Sequence, residues 1–141
     1  MKNSRFVRIT ALIVAMFLLG AIGVLAVVQV GTVQSVSTTA ITPTFATITN
    51  TAGIYFTNNG ASLLYVKNDA LATVYMTVTT PATFGGLALA DNTFTMTAGA
   101  EAVVGPFNPN YYNVTSGTYK GQTNIAASDI ASVTVAFFSY E

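Results

Sequence analysis

Residues 132–140 read SVTVAFFSY. In an extended chain successive side chains point to opposite faces. Val133, Val135 and Phe137 then share one face, and Thr134, Ala136, Phe138 and Tyr140 share the other. A period of two with β-branched and aromatic residues predicts a strand. The same pattern recurs upstream. Val74, Met76 and Val78 alternate with Tyr75, Thr77 and Thr79, and Phe94 and Met96 alternate with Thr93, Thr95 and Thr97. Alternation places Val78, Met96, Val135 and Phe137 in a core.

Turn signals separate these runs. Asn58-Asn59-Gly60 follows Ile54-Tyr55-Phe56 and precedes Leu63–Lys67. Asn-Gly tolerates positive φ and reads as a hairpin turn. Asn68-Asp69, Pro81, Gly85-Gly86, Asp91-Asn92 and Ala98-Gly99 punctuate the remainder. Short strands with turns every 8–12 residues are the signature of a sandwich or small barrel. The expected fold is all-β: a single antiparallel β-sandwich, Ig-like or jelly-roll-like, over residues 53–141. Gly105-Pro106-Phe107-Asn108-Pro109 fixes φ at two prolines and predicts a rigid loop. Phe107 is expected to anchor it to the core, with Tyr111 and Tyr112 partly exposed.

Upstream of the strands the composition changes twice. Residues 31–52 are dense in Ser and Thr and carry no charge. They read as a linker, an extended stalk with a short strand near its end, or, over Ala40 to Ile48, as an edge or exchanged strand. Before them, Ile9 to Val30 is an apolar run in which only Thr10 and Gln29 are strongly polar. As a helix it reaches about 33 Å, enough to cross a hydrocarbon core of about 30 Å. Residues 1–8 form a basic flank with Lys2, Arg5 and Arg8. Basic residues stay on the cytoplasmic side, which predicts an anchored chain with the C-terminal domain outside. A cleaved signal peptide ending near Val24-Leu25-Ala26 is the competing reading.

Net charge is zero, but from residue 9 onward two basic residues face five acids, a balance of −3. No basic patch exists there for nucleic acid. The chain has no His, Cys or Trp. Ser-His-Asp and Cys-His nucleophiles cannot be built, and thiolate metal sites are excluded. Asp91 and Glu101 could meet across a hairpin, as a carboxylate pair or, with Asn92, as oxygen ligands for Ca²⁺. Acids beside turns are usually solvated, so no enzyme activity, cofactor, metal or small-molecule substrate is expected. Asn113-Val114-Thr115 is an N-glycosylation sequon.

An ordered set of short motifs adds to this reading. It comprises Asn59-Gly60-Ala61-Ser62-Leu63-Leu64-Tyr65-Val66-Lys67-Asn68, Gly86-Leu87-Ala88-Leu89-Ala90-Asp91 and Thr97-Ala98-Gly99-Ala100-Glu101. Gly105-Pro106-Phe107, Pro109, Tyr111 or Tyr112 followed by Asn113, and Val133-Thr134-Val135-Ala136 complete it. In this order they resemble a family of small tailed-phage virion proteins, found among head decoration and head–tail proteins. The resemblance runs over about residues 57–140 and leaves 1–52 uncovered. It implies a small β-sandwich that works on a protein shell by contacts alone.

Composition and resemblance point to a structural subunit, membrane-anchored or virion-associated, whose partners are copies of itself or a protein shell. A pilin-like surface filament and a membrane-tethered binding module are the alternatives. A charge fraction of only 7% suits a subunit that stays packed against neighbours. The last strand is apolar on both faces, so Phe138 and Tyr140, with Tyr111 and Tyr112, are the candidate interface residues. Internal cover by residues 31–52 is the other explanation for that strand.

Overall fold

The computed structural model describes residues 28–140. Among them are twelve short strands and one helical turn. The strands are β1 (Gln29–Gly31), β2 (Val33–Ser35), β3 (Ala46–Thr47), β4 (Ile54–Thr57), β5 (Ser62–Asn68), β6 (Val74–Val78), β7 (Thr83–Phe84), β8 (Leu87–Ala88), β9 (Asn92–Met96), β10 (Glu101–Val104), β11 (Gln122–Ala127) and β12 (Val133–Ser139); the helical turn is α1 (Pro109–Tyr112). The fold is all-β. One sheet runs β1-β4-β11-β6-β9, a second runs β10-β5-β12-β2 with β3 also on β12, and β7-β8 form a separate hairpin.

The two large sheets share one core. The first contributes Ile54, Phe56, Val74, Met76, Val78, Met96 and Ile125; the second contributes Leu64, Val66, Val133, Val135 and Phe137. Phe56 stacks on Phe137 across the sheets with centroids 4.6 Å apart, and Phe107 meets Phe56 edge-on at 5.8 Å. The four residues that alternation assigns to the core are all buried, as is Phe107. Each such side chain contributes about 1.5–3 kcal/mol by leaving water.

Three expectations need correction. The sheets are mixed, because β1 lies parallel to β4 and β2 parallel to β12. Residues 31–52 do not stand off as a stalk. Gln29–Ser35 is one nearly continuous extended run whose first half extends the first sheet and whose second half extends the second. The chain then returns so that β3 pairs antiparallel with Thr134 and Val135, and Ile48 enters the core with no exposed surface. Domain material therefore begins at Gln29, not at 53. Val30, expected to close the membrane helix, belongs to β1. Residues 1–27 of that helix and its flank, including Ile9, Lys2, Arg5 and Arg8, lie outside the described residues.

The third correction concerns Asn58-Asn59-Gly60. It does not close a hairpin, since β4 and β5 lie in different sheets. Asn58 turns inward instead. Its Oδ1 accepts from Gly60 N (3.0 Å) and its Nδ2 donates to Asn113 Oδ1 (2.8 Å) and Thr123 Oγ1 (3.0 Å). These bonds hold an arch between the sheets. The Asn68-Asp69 and Ala98-Gly99 turns also cross between sheets.

The strand directions give the molecule two ends. β12 starts at Val133 opposite Asn68 and finishes at Ser139 opposite Ser62. The lower end carries the turns after Asn68, Met96 and Ala127. The upper end carries the Asn58–Ala61 arch, the β7-β8 hairpin, the 105–121 segment and Tyr140, whose N–H donates to Ala61 O.

Candidate functional site

The feature with the most exposed apolar surface is the β7-β8 hairpin. Phe84 pairs directly with Leu87, and Gly85 and Gly86 close the turn with φ of 59° and 81°. A two-residue turn with both φ positive matches the twist of the flanking strands, and glycine adopts it without steric cost. A β-carbon at either glycine would meet nothing within 4 Å, so the tip stands clear of the body. Phe84 is 80% exposed and Leu87 75%. The base is held. Leu89 N donates to Ala82 O, Thr80 N donates to Asp91 Oδ1 (2.7 Å), and Ala82 N donates to Tyr111 O. The alternating runs do not reveal this arm, although the glycine pair flanked by Thr83-Phe84 and Leu87-Ala88 is itself a hairpin signal.

The four candidate interface residues separate into three places. Tyr111 lies beside the hairpin base and is 50% exposed; Tyr140 is at the same end of the molecule and 43% exposed. Tyr112 is half-buried, packed edge-on against Phe107 at 5.7 Å. Phe138 is half-buried on the outer face of the second sheet, between Leu63 and Gln34. Gln34 holds the returning segment over that face, donating to Thr42 O (3.0 Å) and accepting from Thr44 N (2.7 Å). Phe45, next after Ala46 and Thr47 in the β3 register, lies 5.4 Å from the Tyr65 ring, beside the fully buried Ala136. Internal cover by residues 31–52 thus accounts for part of the apolar outer face of β12.

The same outer face carries an ionic cluster. Lys67 Nζ is 3.0 Å from Glu101 Oε1, the Tyr65 hydroxyl donates to Glu101 Oε2, and Lys67 sits 5.5 Å from the Phe45 ring centroid. The Tyr65 hydroxyl, then the Lys67 ammonium, holds the Glu101 carboxyl below its ordinary range. Glu101 in turn raises Tyr65 and Lys67. Asp91 is not part of this cluster. It precedes β9 in the other sheet, so the pairing of Asp91 with Glu101, by themselves or with Asn92 around a cation, is not formed. Among the described residues no group of three or more acids could hold a metal ion.

Asn113 is occupied. Its Oδ1 accepts from Asn58 and Thr123, and its Nδ2 donates to Asn58 O (2.9 Å) and Gly121 O (3.2 Å). The nitrogen that a glycan would take is thus already part of the arch.

No protein-family model, curated protein or solved structure matches the chain.

Proposed function

We propose that the chain is a non-catalytic structural subunit, anchored in a membrane by its apolar N-terminal stretch and joined to copies of itself through its upper end. One observation carries this reading: Phe84, Leu87, Tyr111 and Tyr140 are all exposed at the upper end. Large exposed apolar groups gathered in one region mark interaction sites. Asp91, tied up with Thr80, and Lys120 are the charged side chains of that end among the described residues, so little repulsion opposes a second copy. With Gln29 and Val30 assigned to β1, residues 9–27 would, as a helix, still reach about 28 Å, close to one bilayer core.

Virion association rests on the resemblance over residues 57–140, and a protein shell in place of a second copy would use the same upper end. The finer fold class belongs to this proposal too. β4, β5 and β6 alternate between the two large sheets, as do β9, β10, β11 and β12, which supports a jelly-roll-like reading over an Ig-like one.

Sedimentation of the full-length chain in detergent tests the proposal. The natural sequence is expected to form oligomers. Phe84→Ser with Leu87→Ser is expected to sediment as a monomer with an unchanged β circular dichroism spectrum. Oligomers of unchanged size in the double variant would contradict it.

A further inference from the structure

One edge of the second sheet has no charge to guard it. β2 is the last strand of that sheet, paired to β12 on one side only. Such edges template pairing with other chains, and proteins blunt them with charge, proline or a cover. No charged residue lies between Arg8 and Lys67. What the chain sets beside this edge instead is a group of hydroxyls. Thr38, Thr39, Thr42 and Thr44 lie in the irregular segment between β2 and β3, and all four are exposed.

The main chain of this segment is held while these side chains are left free. Gln34, on β2, donates to Thr42 O (3.0 Å) and accepts from Thr44 N (2.7 Å), and Thr39 N donates to Ser37 Oγ (3.2 Å). Among the described residues none of the four threonine hydroxyls is hydrogen-bonded. Thr49 shows the contrast, since its hydroxyl is spent on Gln29 Oε1 (3.2 Å). Pro43 stands between Thr42 and Thr44, fixes its own φ and keeps Thr42 extended. Uncharged Ser/Thr-rich sequence with proline is the composition of O-glycosylated segments. The N-linked alternative at Asn113 is closed, because that amide nitrogen already donates to Asn58 O and Gly121 O. Sugars are bulky and solubilising, and on this segment they would shield the β2 edge. The segment adjoins the second sheet, whereas the β7-β8 hairpin links β6 to β9 of the first, so sugars and Phe84 occupy different sheets.

Building on the reading that the domain lies outside the membrane, we propose that Thr38, Thr39, Thr42 and Thr44 are acceptors for O-linked neutral sugars. The donor is an activated sugar whose anomeric carbon is bonded to a phosphate. The threonine Oγ bonds to that carbon, the bond from carbon to phosphate oxygen breaks with its electron pair on the phosphate, and the hydroxyl proton passes to a base of the transferase. Full-length chain isolated from its native cells is digested, and peptides spanning residues 36–45 are fragmented by electron transfer. Mass added in steps of a neutral sugar, localised to these threonines and released by alkaline β-elimination, is expected. A chain carrying Thr38→Ala, Thr39→Ala, Thr42→Ala and Thr44→Ala together is expected to lose that mass and keep its β circular dichroism spectrum. Added mass that persists in this variant, or sugars found on Asn113 instead, would overturn the inference. An unmodified segment in the native chain overturns it as well. If that unmodified chain still floats with membranes, the anchored reading stands; if it is recovered free of membranes, both fall together.

Discussion

Gly31 and Phe137 are in such close contact that a β-carbon on Gly31 would stand 2.2 Å from Phe137 Cε2. The ring has no room to withdraw, being buried and stacked on Phe56. Here the incoming chain passes from one sheet to the other. Gly31→Ala should therefore push β1 off its sheet or strain the core, costing about 1–3 kcal/mol, as overpacking does. Urea denaturation checks this, and Phe137→Leu in the same chain should recover part of the loss. Phe137→Ala alone should cost about 3–5 kcal/mol, whereas the half-exposed Thr134→Ala should change stability by less than about 0.5 kcal/mol.

A chain beginning at Gly53 should not form a stable monomer. It lacks β1, β2, β3 and Ile48, and it bares the β12 edge with its two-sided apolar sequence. Unpaired edges of that kind template aggregation. Size-exclusion chromatography of this fragment against one beginning at Val28 checks the point; a folded, monomeric Gly53 fragment would mean that the 28–52 segment is dispensable.

Much of the strand content was legible because alternation depends only on which side chains leave water. Val74–Val78 and Val133–Ser139 carry that pattern without ambiguity. Pairing was less legible. Asn58-Asn59-Gly60 has the local chemistry of a hairpin, yet Asn113 and Thr123, 55 and 65 residues away, supply the bonds that make it an arch. Gln29–Ser35 was hidden for a different reason. Its valines continue an apolar run that is helical by length, and only long-range partners such as Thr47 and Phe137 recruit it into sheets. In the candidate site, Tyr111 and Tyr140 were visible as aromatics beside turns, whereas Phe84 and Leu87 needed their glycine pair to be read as a turn of its own.

Stability should fall in acid partly through Glu101. Its folded carboxyl titrates below the ordinary value of 4.5, because Tyr65 and then Lys67 favour the carboxylate. The stabilisation is complete above that ordinary value and is lost as pH falls through the depressed one. Lys67, raised above 10.5 by Glu101, behaves oppositely: its share is present below 10.5 and lost as pH rises through the folded value. Glu101→Gln should thus lower the melting temperature near neutrality, with the gap closing as pH drops below 4.5. Added salt should narrow the gap at neutral pH, since the pair is exposed. A pH-independent gap would assign the effect to packing.

The central claim is that copies of the chain meet through the upper end. The natural sequence has no cysteine, so single-cysteine variants give unambiguous cross-links. Full-length Phe84→Cys and Thr95→Cys chains, the second on the exposed outer face of β9, are assembled in the membrane and treated with a short bis-maleimide. The account predicts covalent dimers from Phe84→Cys and none from Thr95→Cys. Dimers from Thr95→Cys with none from Phe84→Cys would contradict it.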